Sequence, residues 1–169
     1  MKQGIILLAG LAASLSFTAC KKTTDPVVVT PTVPTFTATL NGASEKPSST
    51  TSPATGSFIG TLNTTTNVLS YTLSYSGLPA SSKVTMAHLH RVNTSDAAGV
   101  NGVGPPEIPI ASVPMTGTII SGTLVSPFTG SSSALSKAKI DSMNRGFYYA
   151  NLHTNDFPAG AIRGNVTRQ

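Results

Sequence analysis

The sequence predicts an all-β domain: an antiparallel β-sandwich with one short helix. Three observations predict it. Short runs alternate apolar and polar residues, Gly, Pro and Asn punctuate them at close intervals, and only one segment carries helix signals at both ends. The alternation is the period-2 pattern of a strand with one face buried and one face polar.

Taken in order, "FTATL" (36–40) alternates and then breaks at Asn41-Gly42, a strong turn dipeptide. "GSFIGTLN" (56–63) and "NVLSYTLSYSGL" (67–78) flank a Thr-rich turn and read as a hairpin. In the second run Leu69, Tyr71, Leu73 and Tyr75 share the face expected in the core, and Val68, Ser70, Thr72 and Ser74 share the other. "KVTMAHLHRV" (83–92) is the next strand. The stretch 108–128 is expected to hold two more, broken near Gly117 or Gly122. "GFYYANLHT" (146–154) and "GAIRGNVTR" (160–168) close the chain around a turn containing Asn155, Pro158 and Gly160. The exception is "SSSALSKAKIDSMNRG" (131–146), which has Ser at its start, helix formers inside and Arg-Gly at its end. It predicts one short helix with Leu135, Ala138 and Met143 as its apolar stripe.

The first nineteen residues read as an address. Lys2 supplies a positive start, and "IILLAGLAASLSFTA" is an apolar run of signal-peptide length, short for a bilayer span. It ends in "FTAC", where Thr18 and Ala19 before Cys20 resemble the lipobox of bacterial lipoproteins. Phe17 stands where Leu is usual. The resemblance implies cleavage before Cys20, lipid on Cys20 and a protein held on the membrane of a bacterial cell envelope, extracytoplasmic, at the outer membrane or cell surface. Cys20 is the sole cysteine, so no internal disulfide exists. Residues 20–35, "CKKTTDPVVVTPTVPT", are rich in Thr, Pro and Val. They read as an extended tether, with Pro26, Pro31 and Pro34 arguing against a first strand. One domain then runs from 36 to 169. The formal charge is +5, and +4 once Lys2 is removed. No basic stripe interleaved with aromatics appears, which argues against nucleic acid.

Three passages resemble the CHRD (chordin-type) domain: "FTATLNGASEKP", "MAHLH" and "GFYYANLHTNDFPAGAIRGNV". The first carries Phe36, Ala38, Leu40, Gly42, Glu45 and Pro47 in the family's opening pattern. The second carries a His-x-His strand, His88 and His90, ahead of the Gly/Pro-rich "GVNGVGPP". The third carries Tyr149, Asn151, His153, Thr154, Pro158, Gly160, Ile162, Arg163 and Gly164. The chain departs from the pattern at Ala161, where the family usually has Glu, and in a longer loop after His90. The resemblance implies an all-β domain found in bacterial secreted proteins and in chordin. It carries no established activity, so the expected role is a non-enzymatic binding or adhesion module for an envelope or extracellular protein partner.

The histidines suggest an alternative. His88 and His90 project from one face of a strand, with Met86 one step earlier, and His153 shares a face with Asn151 and Tyr149. If the two strands are neighbours, three neutral imidazoles with an open position suit zinc or copper, and a nearby thioether tilts the choice toward copper. A His-x-His strand on an immunoglobulin-like or superoxide-dismutase-like sandwich is an analogy of motif and fold alone. The competing reading has the imidazoles donating to a backbone carbonyl or to Asn151, tying the loop 93–107 to the sheet. Among other residues, Arg163 suggests an ion pair with Glu45 or Asp156. Glu107 and Asp96 match no calcium-loop spacing. No nucleophile–base pair can be argued from spacing, so catalytic residues are not assigned and a hydrolase ranks last.

Overall fold

The computed structural model describes residues 33–92, 102–112, 115–116, 119–120 and 124–169. The expected signal peptide, Cys20 with the lipid expected on it, nearly all of the expected tether, and Asp96 lie outside the described residues. Among the described residues there are ten strands and one α-helix, in the order β1 (Thr35–Asn41), β2 (Thr55–Asn63), β3 (Val68–Ser76), β4 (Val84–Arg91), β5 (Pro106–Ser112), β6 (Met115–Thr116), β7 (Ile119–Ile120), β8 (Phe128–Ser131), α1 (Lys137–Asn144), β9 (Tyr148–Thr154) and β10 (Ile162–Arg168). A 3₁₀ turn, Gly42–Ser44, follows β1. It is capped by Asn41, whose side chain accepts the Ser44 N–H.

The expected all-β class with a single short helix is what the chain forms. The two layers of the expected sandwich belong to one antiparallel eight-stranded sheet, ordered β5-β4-β9-β10-β1-β2-β3-β8. The sheet twists until its edge strands β5 and β8 lie against each other, leaving it nearly closed. Tyr71 on β3 donates its hydroxyl to the Ile110 carbonyl on β5, 3.2 Å away, linking the two ends of the sheet.

The enclosed face is the hydrophobic core. Phe36, Leu40, Phe58, Leu69, Leu73, Leu89, Leu152 and Ile162 are all fully buried in it. Each belongs to the alternate set that the period-2 pattern assigns inward. The β2–β3 hairpin forms as expected, with a turn at residues 64–67 in which Asn67 takes a positive φ of 58°. Leu69, Tyr71 and Leu73 are buried, while Tyr75 is half-buried.

Two local expectations are corrected. The apolar stripe expected around the helix begins before it: Ser136 is the N-cap, so Leu135 is buried from the preceding turn and Ala138 is exposed. Met143 and Ile140 carry the helix's apolar contacts. The stretch 108–128 divides differently, because β5 already starts at Pro106 and β8 starts only at Phe128. The two-residue strands β6 and β7 form a small ladder of their own between them. Among the described residues no helix is long and apolar enough to cross a membrane.

Candidate metal centre

The site lies on the outer face of three adjacent strands, β4, β9 and β10. In β4, alternation sends Ala87 and Leu89 into the core, so Met86, His88 and His90 face out. In β9, Tyr148, Ala150 and Leu152 go inward, and Tyr149, Asn151 and His153 go outward. In β10, Ile162 and Val166 go inward and Arg163 outward. The ladder then sets the neighbours: Met86 opposite His153, His88 opposite Asn151, His90 opposite Tyr149, and Asn151 opposite Arg163. Directly opposed residues of an antiparallel pair share a face.

This pairing brings the three histidines together. Their ring centroids are 5.4 Å (His88–His153), 5.5 Å (His88–His90) and 5.9 Å (His90–His153) apart. One ring nitrogen from each lies within 4.8 Å of the others. His90 and His153 are buried and His88 is half-buried, so the cluster opens toward solvent at His88. Met86 is half-buried beside them and does not pack on the apolar core.

Two rings are oriented by backbone carbonyls. His90 Nδ1 lies 2.9 Å from the Gly104 oxygen and His153 Nδ1 lies 3.0 Å from the Pro158 oxygen. A carbonyl only accepts, so each Nδ1 carries the proton and each Nε2 keeps its lone pair. Both Nε2 atoms are buried without a hydrogen-bond partner, and so is His88 Nδ1. Burial holds all three rings below the ordinary histidine range. For His88, burial and the neighbouring His153 and His90 together bring the pKa down to about 4. For His90, burial outweighs the opposing hydrogen bond to Gly104, and for His153 it outweighs the one to Pro158. At neutral pH the cluster therefore presents three uncharged imidazoles, with the Nε2 lone pairs of His90 and His153 left without a hydrogen bond. This is the donor set of a three-histidine metal centre, with carbonyls fixing the tautomer from behind.

Beyond His90 lies a stack. The Tyr149 ring is parallel to the His90 imidazole at 4.8 Å, and the Arg163 guanidinium lies over the Tyr149 ring at 3.6 Å. Arg163, 1% exposed, donates to the Gly102 carbonyl at 2.7 Å, and the Tyr149 hydroxyl meets Gly104 at 3.4 Å. The segment 102–104 is thereby held on the sheet, as the loop-tying reading expects. It comes so close that a Cβ on Gly104 would stand 1.8 Å from the Arg91 oxygen. Only glycine lets this carbonyl reach His90.

The flank of the site is a polar pocket closed by the turn after β1. Glu45, 3% exposed, accepts from Asn151 Nδ2 at 3.4 Å and senses the Arg163 charge. Burial pushes its carboxyl up to about 7, against the opposing pull of Arg163, the Asn151 amide and the Lys46 N–H. Of the two partners expected for Arg163, Glu45 is the one whose carboxyl lies close enough for that charge to pull its pKa down. Asp156 instead accepts from Ser82 and Asn155 in the turn before β10. Glu107 is engaged by Arg91 at 2.8 Å, by Lys139 at 3.8 Å and by the Tyr148 hydroxyl, a structural cluster on β5. Ala161, where the resemblance expects Glu, is fully buried beneath Thr50, whose hydroxyl donates to its carbonyl at 2.8 Å.

The model of the CHRD domain matches residues 36–166. The chain belongs to the CHRD family. No curated protein and no solved structure matches it. The match spans β1 through β10, so every residue of the outer-face site lies within the CHRD domain.

Sequence pattern found the three histidines and their shared faces. It did not find Gly104 as the orienting carbonyl, nor the contact between Glu45 and Asn151. The only signal for either was the clustering of glycines around 102–104 and a single acidic residue, Glu45, in the turn after the first strand.

Proposed function

We propose that this CHRD-domain protein is a lipid-anchored, extracytoplasmic metal-binding protein that holds one zinc or copper ion on His88, His90 and His153. The observation that carries the reading is that each of the three histidines offers a ring nitrogen within 4.8 Å of the others, and that each also keeps a buried ring nitrogen without a hydrogen-bond partner. Leaving a buried polar atom unpaired costs about 1–3 kcal/mol. An ion bound among the three rings would offset that cost, and neutral imidazole is a preferred ligand of both metals. Met86, opposite His153, is placed to add a thioether, which favours copper over zinc. A lipid on Cys20 and the Pro/Thr-rich stretch after it would hold this site off a membrane surface.

Isothermal titration of the metal-stripped full chain with zinc and with copper tests the reading. Uptake near one equivalent is expected, lost in His153→Ala. Absence of uptake, or unchanged uptake by that variant, rules it out. For the anchor, Cys20→Ala is expected to move the protein from the membrane fraction to the soluble fraction of fractionated cells, and retention in the membrane argues against it.

A further inference from the structure

Asn151 sits opposite His88 in the ladder between β4 and β9, with its side chain on the face of the triad. The orientation of its amide is set by one contact: Nδ2 donates to Glu45 Oε2. The amide oxygen therefore turns away from that carboxylate, because the two ends of an amide diverge from a single carbon. Asn151 Oδ1 is buried, in a residue only 3% exposed, and has no hydrogen-bond partner. Gly160 makes this arrangement possible. A Cβ there would stand 2.8 Å from Asn151 Nδ2 and 2.8 Å from both Glu45 oxygens.

His90 and His153 cannot satisfy this oxygen. They spend their N–H groups on backbone carbonyls, and the nitrogens they leave over are acceptors too. Asn151 Oδ1 and both Nε2 atoms thus lie on one buried face with no hydrogen bond made to them, although the Arg163 guanidinium stands opposite Asn151 in the ladder. A ligand whose oxygen is bound by a metal and whose hydrogen is free to be donated satisfies both kinds.

We propose that the ion held by the triad carries a water molecule in its fourth position, and that Asn151 Oδ1 accepts a hydrogen bond from that water while Glu45 holds the amide in place. The inference rests on the triad binding a metal. It makes the fourth position exchangeable and selective. A protic ligand such as water, an alcohol or an amine is favoured there, and an anion with no proton to donate meets the lone pairs of the amide oxygen.

The full chain loaded with Co(II) tests this, since the visible absorption of the ion reports its ligands. The probe is azide, which has no proton to give. Asn151→Leu removes the acceptor at similar volume. It is expected to take up one equivalent of Co(II), to show an altered Co(II) spectrum, and to bind azide at least about tenfold more tightly than the wild type. Equal azide affinity and an unchanged spectrum in the two proteins would overturn the inference and leave the metal reading intact. Asn151→Asp keeps an acceptor and adds charge, so azide is expected to bind it more weakly than the wild type. Should Asn151→Leu not fold, equal azide binding by Asn151→Asp and wild type overturns the inference. If the wild type takes up no Co(II), the inference falls, and the metal reading is then decided by the zinc and copper titrations alone.

Discussion

Tyr148, Ala150 and Leu152 leave one side of β9, and Tyr149, Asn151 and His153 leave the other; both sets are buried. On the inner side, burial is supplied by apolar neighbours from the rest of the sheet, and each contact adds to stability. On the outer side, burial is supplied by the turn after β1, which brings a carboxyl, and by segment 102–104, which brings carbonyls, one of them to the Arg163 guanidinium of β10. The first side explains why the sheet folds. The second costs stability, because it keeps polar atoms out of water without pairing all of them. A strand buried on both faces with opposite chemistries separates the fold from its work.

That contrast can be broken from either side. The largest effect is expected from the inner one: Leu152→Ala, at a fully buried position, should cost about 2–5 kcal/mol in denaturant unfolding. It should leave the metal stoichiometry of the folded protein unchanged, and a lost stoichiometry would show that the two faces are not independent. Next comes Gly104→Ala. Its Cβ cannot fit against Arg91, so the carbonyl behind His90 must retreat. Metal affinity, read by competition with a chelating dye, should fall by about 10–100-fold, the usual cost of losing a partner behind a ligand.

A smaller and more diagnostic effect concerns pH in the metal-free protein. The folded His88 pKa is lowered to about 4, below its unfolded value of 6.5. Between those values the unfolded chain binds a proton that the folded one refuses, so this term removes stability as pH falls from about 6.5 to 4. Glu45 has the opposite sign. Its pKa rises from 4.5 to about 7, so the folded state holds a proton that the unfolded state has lost, and this term adds stability as pH falls across that window. Glu45 offsets part of the loss, but the lowered pKa values of His90 and His153 add to it, so a net loss of stability from about pH 6.5 to 4.5 is expected for the wild type. Glu45→Gln should steepen the acid loss, and His88→Ala should flatten or reverse it, both read from thermal melts across pH. The smallest effect is expected far from either face. Lys137→Ala breaks an exposed i,i+4 pair with Asp141 on α1 and should change stability by no more than about 0.5 kcal/mol.

The strands were legible because alternation is a local property, and β1 through β4, β9 and β10 fall within a residue or two of where their patterns place them. The shared faces of His88, His90 and His153 were legible for the same reason. Their meeting was not, because it depends on β4 choosing β9 as its neighbour, a long-range pairing that no short window records. The single rolled sheet was hidden likewise: a sandwich and a nearly closed sheet share one alternation pattern and differ only in which edges approach. Glu45 was out of reach as a neighbour of Asn151 because more than a hundred residues separate them along the chain. At 108–128 the misplaced boundaries came from prolines and glycines scattered through the segment, which interrupt alternation without saying which interruption ends a strand.

The position of the histidines has a mechanical consequence. They sit on strands more than sixty residues apart in sequence, in a chain whose lone cysteine rules out any internal disulfide. An ion gripping all three would act as a reversible crosslink, shrinking the freedom of the unfolded chain much as a covalent bridge does. The same atom would then fill the site and clasp the fold.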